Sequence, residues 1–276
     1  MPLPSQKAKT LKEAYRICDV TPLTEADQNY YVPLEARNDV IARLNSVLDF
    51  VEAGESKAIL FTGHIGSGKS SELIRVGKYW ENEYEVIFVT TQDVIDINDV
   101  EYTDLYLLII KQVEVALRQH GISFRSDLLA SFEGWFREVT EETEETLERS
   151  INVEAETSLG GEAPFLAKLL FKLVANIKAG SKDKRTIREV LRQDVSRLKT
   201  DINLLLDDGM KKLKVKFPKK KGILVILDDL DKAPKNVAEK LFTDYAIQLQ
   251  DLNCVIIYTV PIGSLYRTYL TSIGYD

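Results

Sequence analysis

Histidine and cysteine are both scarce, with two of each in 276 residues. Cys18 and Cys254 lie far apart, so neither a disulfide framework nor a Cys/His zinc spacing is present. Cys254 heads an apolar run and reads as a small buried hydrophobe. Only His64 and His120 can offer imidazole. Long apolar runs are missing too. No window holds the roughly 20 apolar residues of a membrane span, and the opening MPLPSQK carries no apolar signal segment. The expected compartment is therefore the cytoplasm. A positive excess is also lacking: the net charge is −7, which argues against a chain that coats nucleic acid non-specifically. The 45% of hydrophobic residues is ordinary and leaves material for a sizeable core.

Against these absences one stretch stands out. Gly63, His64, Ile65, Gly66, Ser67, Gly68, Lys69 and Ser70 fit G-x-x-x-x-G-K-[ST] without deviation. Glycines let the backbone curl with its N–H groups inward, forming an anion-binding nest. Lys69 is placed for the β- and γ-phosphates, and the Ser70 hydroxyl for Mg²⁺. The flanks agree. KAILFT before the loop has the look of a buried parallel strand. Ser71 and the residues after it open a helix whose N-terminal dipole favours phosphate. The motif implies a bound nucleoside triphosphate.

Along the rest of the chain, residues 1–30 form a proline-punctuated lead-in. A helix capped by Asn38 or Asp39 should carry an apolar stripe of Val40, Ile41, Leu44, Val47, Leu48 and Val51. A second buried strand spans 85–91, followed by a polar loop with Asp93, Asp96 and Asp99, which reads as a solvated loop. Thr103 and Ser126 cap two amphipathic helices. Glu141, Glu142, Glu144, Glu145 and Glu148 make a solvated acidic run, and 150–162 reads as a linker. Residues 163–180 are apolar with interspersed lysines and suit packing on their own domain. Ile187, Leu191, Val195, Leu198, Ile202 and Leu205 mark one long amphipathic helix. Seven lysines between Lys211 and Lys221 form the one basic cluster; it leads into the amino end of a strand, opposite the ligand side, and reads as solvated.

The second chemical element is ILVILDDLDK, residues 223–232. Its branched apolar run predicts a strand buried on both faces, with acids at the carboxyl end where α/β sheets bind ligands. Asp228 suits the Walker-B role of holding Mg²⁺. Asp229 is then placed to orient or activate the attacking water, and Asp231 to cap the next helix. A helix over 237–249 and a strand from Cys254 to Val260 follow.

The segment 31–37, GHIGSGKSS, the strand ending in DDLDK and the segment IIYTVPIGSLY together resemble the additional-strand P-loop ATPases, specifically the AAA/STAND NTPases of bacterial signalling and defence. The likeness covers 31–110 and 222–270. It implies an α/β fold, a P-loop NTPase parallel sheet flanked by helices. Two parts of that domain, 31–121 and 217–276, are divided by a largely helical insertion at 122–216, between Walker A and Walker B. The additional strand is expected between the P-loop and Walker-B strands. Thr259 takes the sensor-1 position near the γ-phosphate, joining Lys69 and Asp229 as catalytic candidates. Tyr31 and Val32 enter the first helix where relatives close over adenine, although ordinary packing explains them equally well. The implied cofactors are ATP and Mg²⁺.

The implied role is a nucleotide-driven switch in a larger protein, acting by self-association or through a C-terminal or partner effector. The alternatives are a nucleotide-gated scaffold with negligible turnover, or a DNA-associated AAA+ ATPase using the lysine cluster; nucleic acid is not the favoured partner. The family's fifth strand, lid and sensor 2 have no counterpart before Asp276, so either the chain is a piece of a longer protein or the family's C-terminal effector parts are missing. Residues 58–61 should then form a sheet edge that self-associates or is covered by residues 1–30.

Overall fold

The computed structural model describes residues 9–17, 22–23, 31–32, 35–140, 170, 174, 188–189 and 191–264. Four parallel strands form one sheet in the order β1-β4-β3-β2. They are β1 (Lys57–Thr62), β2 (Tyr84–Thr90), β3 (Gly222–Asp228) and β4 (Val255–Val260). β4, last in sequence, lies between β1 and β3, the additional-strand order expected from the resemblance. Among the described residues β1 pairs with β4 alone and is a sheet edge, and its Leu60 is 44% exposed. The covering role expected for 1–30 falls largely outside the described residues; α1 (Leu11–Ile17) is the one helix described there.

Side-chain alternation divides the core into two layers, because successive residues of a strand point to opposite faces. Leu224 and Ile226 of β3, with Val255 and Ile257 of β4, pack with Leu44 and Leu48 of α2 (Glu35–Phe50) and Leu73 and Val76 of α3 (Lys69–Trp80). Ile223, Val225 and Leu227, with Ile256, Tyr258 and Val260, face the larger layer. There α5 (Tyr102–Gln119) is buried almost all round, between the sheet and helices α6 (Ser126–Thr140) and α7 (Val195–Lys216). A helix that is apolar on every side requires cover on every side. Gly209 of α7 provides the closest approach: a β-carbon there would meet Leu117 Cδ1 at 2.6 Å and Phe124 Cε1 at 3.0 Å.

Several local expectations change. α2 begins at Glu35, ahead of Asn38 and Asp39. Val40 and Val47 are exposed, so its buried stripe narrows to Leu44 and Leu48, with Val51 buried just past its end. Glu101 precedes α5 and its N–H is taken by the Asp104 carboxylate at 3.0 Å, which moves the helix start ahead of Thr103. The aspartate loop after β2 folds into α4 (Thr91–Val94) and a 3-10 turn, Ile97–Asp99. Residues 237–249 are not one helix. They divide into α8 (Lys235–Glu239), a π-helical stretch Lys240–Asp244 and a 3-10 turn Gln248–Gln250. The single helix read from Ile187 to Leu205 is interrupted at Asp194, which caps α7; α7 then starts at Val195 and runs on to Lys216, taking in the first lysines of the basic cluster.

Of the region 122–216, α6, α7 and a few residues before α7 are described; the acidic run, the linker and most of 163–180 lie outside the described residues. Arg188 joins this region to the P-loop part. It is 4% exposed and pairs with Asp104 and with Asp99, the latter at 2.9 Å. Lys211, Lys214, Lys216 and Lys219 of the cluster are exposed, whereas Lys212, Lys220 and Lys221 are half-buried. Lys212 pairs with Asp208 at 2.9 Å, Lys220 with Glu85 at 2.7 Å and Lys221 with Glu83 at 3.0 Å, while Lys216 donates to the His120 carbonyl. Glu83 and Glu85 at the amino end of β2 explain this: the lysines neutralise acids that the parallel sheet brings beside them.

Candidate functional site

β1 ends at Thr62, the loop follows, and α3 begins at Lys69. Gly66 and Gly68 have φ of 78° and 86°, in the left-handed region where a side chain is strained. These two turns aim the loop back over its own carbonyls. Lys69 is 8% exposed, and its ammonium donates to Gly63 O at 3.0 Å and His64 O at 2.9 Å. It also pairs with Asp231 Oδ2 at 2.8 Å. His64, Ile65 and Gly66 form the exposed tip of the loop, and the Ser67 N–H closes it by donating to His64 O. Ser71 accepts the Leu23 N–H at 2.9 Å, which ties the lead-in to the first turn of α3.

Parallel pairing brings the carboxyl ends of β1, β3 and β4 to the same side. Thr62 Oγ1 donates to Val260 O at 2.9 Å and holds the loop strand to β4. At the end of β3, Asp228 is 3% exposed. Ser70 hydrogen-bonds its carboxylate, whereas Asp228 Oδ1 has no hydrogen-bond partner. Burial lifts the Asp228 carboxyl above the usual carboxylate range. Hydrogen bonds from Ser70 and the Asp229 backbone oppose that lift, and the charges of Asp229 and Asp231 add to it.

Asp229 follows at φ 69°, the one non-glycine in the left-handed region among the described residues. Aspartate tolerates that region better than most side chains. The bend starts a 3-10 turn, Leu230–Lys232, which swings Asp231 back toward Lys69. The Asp229 carboxylate pairs with Lys232 at 2.7 Å. Thr259 is fully buried. Its hydroxyl accepts the Leu230 N–H at 3.0 Å and donates to Leu227 O at 3.2 Å, fastening the turn to β4.

The structure thus brings Lys69, Ser70, Asp228, Asp229 and Asp231 together. Thr259 sits directly beneath the acidic turn, with its hydroxyl engaged by backbone. Tyr31 sits apart from them on the outer side of α3: its hydroxyl donates to Glu72 Oε1 at 2.8 Å, and the Arg75 guanidinium lies 3.7 Å from the ring centre. Val32 beside it is 69% exposed. The residue that sequence reasoning passed over is Asp231. Its signal was the third acid in DDLD, but only the left-handed bend at Asp229 reveals that this acid returns to the loop.

For a divalent cation the donor set fits. Oxygens of Asp228, Asp229 and Asp231 lie within 4.8 Å of one another, all three residues are buried, and one Asp228 oxygen is unpartnered. Carboxylate oxygens are the ligands that Mg²⁺ takes.

The model of the KAP family P-loop domain matches residues 37–257. The chain belongs to the KAP family of P-loop NTPases. No curated protein and no solved structure matches it. The KAP match spans both halves of the sheet and the region between them, so the P-loop and the DDLD turn belong to one domain. As a KAP-family P-loop domain the chain is a nucleotide-binding protein, and no helix among its described residues is long and apolar enough to cross a membrane.

Proposed function

We propose that this domain binds ATP with Mg²⁺ in the cytoplasm and hydrolyses it, its nucleotide state switching a larger signalling or defence protein of the AAA/STAND kind. The observation that carries this reading is the meeting of the two motifs: Ser70 on Asp228 and Lys69 on Asp231. The loop N–H groups and Lys69 would hold the β- and γ-phosphates. Ser70 and Asp228 would hold the cation, which when bound neutralises charge on the transferring phosphoryl group. Asp229 would orient water. Thr259 would act by fixing the turn that carries the acids. Tyr31, held by Glu72 and Arg75, would support α3, and Val32 remains the freer of the two for a base.

The test is calorimetry of Mg-ATP binding to the chain and to Lys69→Ala. Affinity should fall by orders of magnitude in the variant; unchanged affinity would sink the assignment. A second reading, a nucleotide-gated scaffold with negligible turnover, is favoured by one contact, the Asp229–Lys232 pair that engages the proposed water-orienting carboxylate. Phosphate release by the wild type, lost in Asp229→Asn with binding retained, would decide for turnover.

A further inference from the structure

The ammonium of Lys69 has three N–H donors, and three acceptors take them: Gly63 O, His64 O and Asp231 Oδ2. Two of these are backbone of the loop itself. The third is a side chain from across the site, and it alone carries charge. A phosphate oxygen that takes Lys69 must replace one acceptor, and the charged one competes with it most directly. Asp231 is 7% exposed and so cannot turn freely into water once displaced. It lies within 4.8 Å of the carboxylates of Asp228 and Asp229. Asp228 is 3% exposed with one oxygen unpartnered, and the two nearby ammonium groups are already engaged, Lys69 by Asp231 and Lys232 by Asp229.

Resting on the nucleotide-binding reading above, we propose that Asp231 is an exchangeable counter-ion. It balances Lys69 until a phosphate takes the ammonium, and it then becomes a ligand of the divalent cation beside Asp228. The exchange ties nucleotide and metal together. A phosphate arriving without a cation leaves Asp231 buried beside Asp228 as an uncompensated like charge, and such an arrangement is strongly unfavourable. A cation arriving with the phosphate supplies the missing partner. The fold holds Asp231 ready for both duties, because the left-handed Asp229 and the Thr259–Leu230 hydrogen bond fix the turn on which it sits.

The experiment is titration of ATP into the full chain by calorimetry, in EDTA and in excess Mg²⁺, for the wild type, Asp231→Asn and Asp231→Ser. Asparagine keeps the size and removes the charge; serine serves if asparagine does not fold. Far-ultraviolet melts verify folding of each variant. In the wild type Mg²⁺ should strengthen ATP binding strongly. In the variants, affinity in EDTA should rise by about tenfold and the strengthening by Mg²⁺ should shrink by a similar factor, within the usual range of coupling between two ligands. A merely structural role for Asp231 predicts weaker binding in both buffers. That result would overturn the exchange, and so would variants with the wild-type affinity in EDTA and the wild-type response to Mg²⁺. A wild type that binds no ATP in either buffer would overturn the nucleotide-binding reading and the exchange with it.

Discussion

Asp228→Asn should raise the stability of the fold while it weakens cation binding. Burial holds the Asp228 carboxyl above its ordinary range, and Asp229 and Asp231 add to the shift against the hydrogen bonds from Ser70 and the Asp229 backbone. A native pKa above the unfolded value means the folded state binds the proton more tightly. Stability is then fullest below the unfolded pKa of about 3.9. It falls as pH rises toward the native pKa and stays lower above it, so the ionised Asp228 is a net cost at pH 7. Asparagine keeps the shape, can still accept from Ser70, and removes the charge repulsion. Single stabilising substitutions commonly yield about 0.5–2 kcal/mol. At roughly 2–4 °C per kcal/mol for a chain near this size, that is about 1–8 °C in Tm. Thermal melts in EDTA at pH 7 and pH 4 measure it. The variant should melt higher at pH 7, with a smaller gap at pH 4, and added Mg-ATP should raise the wild-type Tm more than the variant's. A lower Tm for the variant at pH 7, or a gap that does not change with pH, would refute the reasoning.

Three further outcomes follow from the packing. Gly209→Ala should destabilise by up to about 2 kcal/mol in urea melts, because the clash of its β-carbon with Leu117, about 1–3 kcal/mol, outweighs the roughly 1 kcal/mol that alanine adds to a helix. Thr259→Val should cost about 1–3 kcal/mol by the same measurement, since it leaves the Leu230 N–H buried without its acceptor, while Thr259→Ser should recover most of the loss. Burial pushes the Cys254 thiol up to about 12, so in a Cys18→Ser chain an aromatic disulfide reagent at pH 8 should label nothing until denaturant is added.

Local chemistry made much of this protein legible before any coordinates. The glycine spacing in 63–70 demands a tight loop before a helix, and a strand apolar on both faces can only lie inside a sheet. β1, β2, β3 and β4 therefore fall within a residue of the segments read from the sequence. The boundaries that moved are those where a tertiary contact overrides a local signal. Asp104 reaches back to cap α5, and the stretch after α8 breaks into π and 3-10 turns while Leu241, Phe242 and Leu249 keep their places in the core. The Asp93–Asp99 loop looked solvated, yet Asp99 pairs with a buried arginine 89 positions away.

The sequence by itself determined the phosphate loop, the strand that ends in acids, and through them the P-loop NTPase fold and the class of ligand. Each depends on residues adjacent in the chain, whose spacing dictates backbone geometry directly. Only the tertiary structure decided which acid meets which cation. Asp231 reads as a helix cap in the chain, but the left-handed bend at Asp229 and the insertion of β4 between β1 and β3 carry it to Lys69. Thr259 likewise has a hydroxyl whose partners lie on β3 and the turn beyond it. Ion pairs between residues more than a hundred positions apart are set by strand order and register, and these are fixed when the two layers of the core pack against the sheet.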